Sequence, residues 1–119
     1  MRFLNVKNVF SQAAVAITGF VDIPLTFGGS GLALYIETTN GAAGNFTFSI
    51  GALTPTGGEV TLITSAAVVT DTTTRLEVLP GVLAQVNISA NDVLPGKARF
   101  RYTRAAGNFD FNVWAAMFG

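Results

Sequence analysis

The side chains able to do chemistry are few, and their spacing limits what they can do. Asp22, Glu37, Glu59, Asp71, Glu77, Asp92 and Asp110 are the only carboxylates among 119 residues, and each stands alone in the sequence. Glycoside hydrolysis needs two carboxyls flanking a cleft. No motif pairs any two here, so solvated strand and turn residues are the simpler reading. Asp71, Asn91 and Asp92 could lend oxygens to Ca²⁺, but short polar side chains at turns more commonly bond their own backbone. The chain has no histidine and no cysteine. That removes the commonest general base and metal ligand, all thiol chemistry and any disulfide framework. The glycine run at 28–31 lacks the following helix and lysine that a phosphate-binding loop requires. The basic run Lys97, Arg99, Arg101 and Arg104 is the one charge cluster. It could meet an anion, a nucleic acid or an acidic partner. Its alternative is a solvated outer face, with Arg99 or Arg101 paired across strands to Glu77 or Asp110. Few aromatics share that face, unlike a single-strand-binding platform, so nucleic acid is not expected. Trp114 alternates onto the side of Asp110 and Asn112, away from the nearby phenylalanines. It is either an interface anchor or part of a strand buried on both sides.

The elements that position these residues read as strands. Leu32, Leu34 and Ile36 fall on one face of a run, and Phe46, Phe48 and Ile50 on one face of the next. Asn40-Gly41-Ala42-Ala43-Gly44 lies between them, which is a hairpin signal. Residues 97–104 (KARFRYTR) alternate most regularly, with Ala98, Phe100 and Tyr102 opposite the basic side chains. A glycine-containing loop at 105–108 then predicts a second hairpin, whose last strand carries Phe109, Phe111, Val113 and Ala115 on one face. Strands are further expected at 12–18, 21–27 (interrupted by Pro24, hence at an edge), 59–65, 75–79 and 82–89. Turns are expected at 28–31, 54–58, 71–73, 80–81, 91–92 and 95–96. This spacing, with no long 3.6-residue period, predicts an all-β antiparallel sandwich, jelly-roll or Greek-key-like, of about eight strands. Residues 12–119 form its single domain.

Residues 1–11 (MRFLNVKNVFS) show neither period and are expected to form an N-terminal arm. Phe3, Leu4, Val9 and Phe10 would be wasted on a free tail, so the arm should pack on a neighbouring copy or another partner. Its removal should then leave the domain folded. Composition points the same way. Charged residues make up 12% and apolar ones 50%, with zero net charge, against roughly 25% charged in ordinary soluble domains. Such a surface favours association, with a monomer covered by Thr, Asn, Ser and Gly as the alternative. Nothing favours an anionic membrane or bulk nucleic acid. The apolar run 13–17 is interrupted by Gly19, Asp22 and Pro24 before reaching membrane-span length, and the N-terminus makes a poor secretory signal. A soluble, unprocessed chain is expected, with Asn45-Phe46-Thr47 and Asn87-Ile88-Ser89 as strand residues rather than glycosylation sites.

From Gly31 onward the order of segments resembles a family of small structural proteins of tailed bacteriophages. The segments are LALYIETTNGAAG, NFTFSIGAL, VTLITSAAV, TTRLEVLPG, NDVLPG, ARFRYT and FDFNVWAAMF, over about three quarters of the chain. TTRLEVLPG and LPGKARFRYT are the most specific. The resemblance implies a virion protein similar to head decoration, or cement, proteins. Such a protein binds the outer surface of the phage head, contacts the major capsid protein and copies of itself, commonly as a homotrimer, and stabilises the shell. It would be assembled in the host cytoplasm and reside in the virion. No catalytic residue, cofactor, metal or small-molecule substrate is implied, and the chain is not expected to be an enzyme. Phe3, Leu4, Val9, Phe10, Trp114, Arg99 and Arg101 are the expected interface residues. A tail, neck or head-fibre component is the alternative. A carbohydrate-binding module is another, and would need exposed aromatics from among Tyr35, Tyr102 and Trp114.

Overall fold

The computed structural model describes residues 3–25, 31–92, 94 and 96–119. Met1 and Arg2 of the expected arm, residues 26–30 of the expected strand and turn, and Val93 and Pro95 lie outside the described residues. The described chain is all-β. In order it forms β1 (Phe3–Val15), β2 (Gly19–Pro24), β3 (Gly31–Leu53), β4 (Glu59–Thr64), β5 (Thr72–Val78), β6 (Ser89–Ala90) and β7 (Lys97–Phe118). These seven belong to one mixed sheet, antiparallel throughout except where β5 meets β6.

The two expected hairpins are absent. β3 and β7 are each continuous and pair antiparallel with one another over nearly their whole length, from Gly31 opposite Phe118 to Ala52 opposite Ala98. The segments read as hairpin loops face each other instead: Ala42 and Ala43 both oppose Asn108, and Asn45 opposes Ala106. Asn40 (φ 50°), Ala43 (φ 53°) and Gly107 (φ 57°) take left-handed backbone there. The same residues that let a chain turn also let it bulge, and a bulge bends the strand without reversing it.

The bend is sharp. A strand of 22 residues at about 3.3 Å each would span about 73 Å, whereas the longest dimension of the molecule is 38 Å. Tyr102 and Phe111 lie on the same strand, and nine residues of extended chain would separate them by about 30 Å. Their ring centroids are 5.5 Å apart. The sheet is therefore folded at a waist into two wings whose inner faces meet. The first wing runs β1, the C-terminal half of β7, the N-terminal half of β3, β5, β6. The second runs β2, the N-terminal half of β7, the C-terminal half of β3, β4.

Burial follows the alternation read from sequence. Leu32, Leu34, Ile36, Phe46, Phe48, Ile50, Phe100, Phe109 and Val113 are buried, as is Tyr102. Phe46, Phe48 and Phe111 pack edge to face across the fold, at 5.0 and 5.4 Å between centroids, the arrangement that aromatic quadrupoles favour.

The described part of the arm differs most from expectation. Residues 3–11 run straight into β1, which pairs with β7 from Phe3 opposite Phe118 to Val15 opposite Phe109. Leu4, Val9 and Phe10 are half-buried against this chain's own core, and the Phe10 ring stacks on Tyr102 at 5.5 Å. The physical reason is that β7 offers an unpaired edge and an apolar inner face, which the arm satisfies in place. Of the four apolar residues expected to dock, Phe3 remains well exposed, with its ring edge-on to Phe118. The expected strand at 82–89 is likewise shorter: β6 holds Ser89 and Ala90, and residues 85–88 form a tight turn.

Candidate interaction surfaces

With Phe46, Phe48, Phe100, Phe109 and Phe111 turned inward, the outer faces carry the candidate contacts. On the second wing, β7 presents Arg99 and Arg101 between β2 and β3. Arg99 grips Asp22 in a bidentate pair, Nε to Oδ1 at 2.7 Å and Nη2 to Oδ2 at 3.2 Å. Arg101 donates to both oxygens of Glu59, at 2.7 and 3.3 Å. Glu59 also meets Arg99 at 3.5 Å and so links the two guanidiniums. The expected partners are different ones: Glu77 binds Arg75 at 2.6 Å, and Asp110 accepts from Ala14 N and Asn40 Nδ2. The register explains this, because Glu77 and Asp110 belong to the first wing and the two arginines to the second.

Glu59 reaches its arginines across Gly51. A Cβ on Gly51 would lie 2.9 Å from Glu59 Cγ, so the bare backbone there is the channel for the carboxylate. The Phe20 ring covers the guanidiniums, with Arg99 4.0 Å and Arg101 5.4 Å from its centroid. Hydrogen bonds from Arg99 hold the Asp22 carboxyl below its ordinary range, and those from Arg101 do the same for Glu59. A groove of about 440 Å³ opens beside this cluster, between Lys97, Arg99 and the 53–57 turn. The arginines are thus committed within the chain rather than offered to an anion.

On the outer face of the first wing, Trp114 lies between Asn8 of β1 and Tyr35 of β3. Trp114 and Tyr35 are each 38% exposed. Trp114 Nε1 donates to Glu37 Oε1 at 2.9 Å, and Asn112 Nδ2 donates to the same oxygen at 3.2 Å. Arg75 lies 5.9 Å over the Tyr35 ring. Tyr102, a third aromatic considered for an exposed platform, is in the core.

A third surface was not anticipated. Val60, Val69, Leu83, Val86 and Ile88 are all exposed, Leu83 by 76% and Val86 by 87%. The signal was present in the sequence: residues 60–70 and 78–91 contain no charged side chain. A strand over 82–89 hides that signal, whereas the observed turn at 85–88 projects Val86 outward.

Asp71 and Asn91, two of the three candidate calcium oxygens named with Asp92, accept backbone N–H groups, from Gly41 at 3.0 Å and Gly81 at 2.9 Å. Among the described residues no group of three or more acidic, histidine or cysteine side chains is placed to hold a metal ion. Compared with known proteins, the chain matches no family model and no curated protein.

Proposed function

We propose that this chain is a non-enzymatic structural protein of a tailed-phage virion, decorating the outer surface of the head. There it contacts the major capsid protein and copies of itself and resists separation of the shell's subunits. The observation that carries this reading is the exposure of the large apolar side chains Val60, Val69, Leu83, Val86 and Ile88 on a chain with so few charges. Large apolar side chains left exposed in this number suit a surface that is covered in use. The ordered resemblance from Gly31 onward supplies the virion context. On this reading the two wings act as the facing layers of a sandwich, and their outer faces meet the partners.

The mechanism is mass action at subunit joints. A protein that bridges neighbouring capsid subunits, and binds them only when joined, adds its binding free energy to the work of separating them. Co-sedimentation with purified expanded heads and, separately, with tails tests the assignment. Saturable binding to heads supports decoration. Binding to tails alone moves the protein to the tail or neck, and binding to neither overturns the virion role.

A second reading rests on Trp114 and Tyr35. They stand side by side and exposed, with Glu37, Asn112 and Asn8 around them. Aromatic faces flanked by amides and a carboxylate suit a sugar ring, so a glycan-binding role belongs to this face. Loss of glycan-array signal in Trp114→Ala would support it.

A further inference from the structure

We propose that the Trp114 face takes a sugar bearing a protonated amine, a hexosamine unit, with its ammonium group set against Glu37 and the indole ring. This rests on the glycan reading of that face and names the class of sugar it holds.

The molecule shows the same arrangement twice with an occupant of its own. On the second wing the Arg99 guanidinium lies 4.0 Å from the centre of the Phe20 ring and is held by Asp22 at 2.7 Å. On the first wing Arg75 lies 5.9 Å from the centre of the Tyr35 ring and is held by Glu77 at 2.6 Å. In each, a cation is shared between an aromatic face and a carboxylate, which attract it together. Trp114 and Glu37 form a third ring and carboxylate pair. Trp114 Nε1 and Asn112 Nδ2 both donate to Glu37 Oε1, so two neutral donors fix the carboxylate at the edge of the indole. Among the described residues no lysine or arginine lies within ion-pair distance of Glu37, and its Oε2 accepts no hydrogen bond.

The surrounding amides are committed to one another. Asn112 Oδ1 accepts from Asn8 Nδ2 at 2.6 Å and from Ser11 Oγ at 2.7 Å. What the face offers a ligand is therefore two exposed rings and one carboxylate oxygen. That set selects the ligand. A neutral sugar would stack but find little to bond its hydroxyls. An acidic sugar would be repelled by Glu37. An ammonium group gains from both the ring and the carboxylate. Breadth separates a sugar from a protein side chain. Arg75 occupies one ring, whereas Trp114 and Tyr35 are direct cross-strand neighbours, and such neighbours stand about 5 Å apart. A pyranose can lay its C–H face on that platform while its amine reaches Glu37.

Trp114 is the one tryptophan of the chain, so intrinsic fluorescence of the full chain reports this face directly. Wild type is titrated at about pH 6, where hexosamine amines are protonated, with a glucosamine trimer, its N-acetylated counterpart and trilysine, whose charge equals that of the first. Glu37→Gln is titrated alongside, with circular dichroism as the check on its fold. It removes the charge but keeps an oxygen for Trp114 and Asn112 to donate to. We expect the glucosamine trimer to bind wild type at least tenfold more tightly than either other probe, and Glu37→Gln to lose that preference. The wild-type comparison decides alone if Glu37→Gln loses its fold. Equal binding of the acetylated trimer, or a preference that survives Glu37→Gln, overturns the amine assignment and leaves the glycan reading. Trilysine bound as tightly as the glucosamine trimer moves the cation to a protein side chain and overturns the proposal. A face that binds neither trimer, and no sugar on a glycan array, removes the proposal and the glycan reading together.

Discussion

Phe109 sits at the waist in a slot made by what its neighbours lack. A Cβ on Gly41 would lie 2.4 Å from its Cε1, and one on Gly44 would lie 2.4 Å from its Cε2. The ring is gripped at both edges and cannot slide away from either. A methyl on Gly44 would also lie 2.7 Å from the Asn108 carbonyl oxygen, which is backbone. Gly44→Ala should therefore cost about 1–3 kcal/mol, the usual penalty for overpacking, read as a lower urea midpoint with an unchanged slope. The charged residues give a second expectation. Asp22 and Glu59 are held below their ordinary values of 3.8 and 4.5 by Arg99 and Arg101, and Asp110 below 3.8 by Asn40 and the Ala14 amide. A depressed folded-state pKa contributes stability that is present above the unfolded value and lost as pH falls through the folded one. With no histidine to titrate near neutrality, thermal stability should be flat from about pH 8 down to about pH 5. It should then fall steadily below about pH 4. Arg101→Gln should flatten part of that acid limb, and an unchanged limb would mean Glu59 takes no share in it.

Elements were legible in sequence where periodicity is local and illegible where it is not. The alternation at 32–36, 46–50 and 109–115 identified the inner faces, because burying one face of a strand dictates a two-residue repeat. Whether residues 40–44 reverse the chain or merely bend it depends on the partner, and the partner of Ile36 is Val113, far away in the chain. No local signal carries that choice. The same holds for the arginines, whose acids follow from a register that only the folded pair sets. β1 was hidden for a different reason. Its register slips between Phe3 and Asn5, between Asn8 and Phe10 and between Gln12 and Val15. Each bulge shifts the alternation by one residue, so the strand shows no period. Lys7 and these bulges also suit an edge strand that must not pair with a stranger. Since Leu4, Val9 and Phe10 pack on the core, deleting residues 1–11 should destabilise the domain. Half-buried side chains of this size contribute about 1 kcal/mol each, and an uncovered β7 edge adds to the loss. A urea melt lowered by several kcal/mol, out of a usual 5–15, is the expected outcome. An unaltered melt would return these residues to the role of a detachable arm.

At the scale of the whole molecule, the fold separates its surfaces by chemistry. The second wing's outer face is stitched by Asp22, Arg99, Glu59 and Arg101, and the first wing's by Glu37, Asn112 and Trp114. The face around Val86 is largely apolar, with Arg75 lining the same groove and paired to Glu77. With zero net charge there is no long-range field to steer or repel a partner, so contacts must come from shape and apolar burial and should be insensitive to salt. Such contacts suit a protein that holds other subunits together. Calorimetry of expanded heads, stripped of the protein and then titrated with it, measures that directly. The head's melting transition should rise in a saturable way as the protein is added, in low and high salt alike. A transition that stays put while the protein is bound would contradict a reinforcing role.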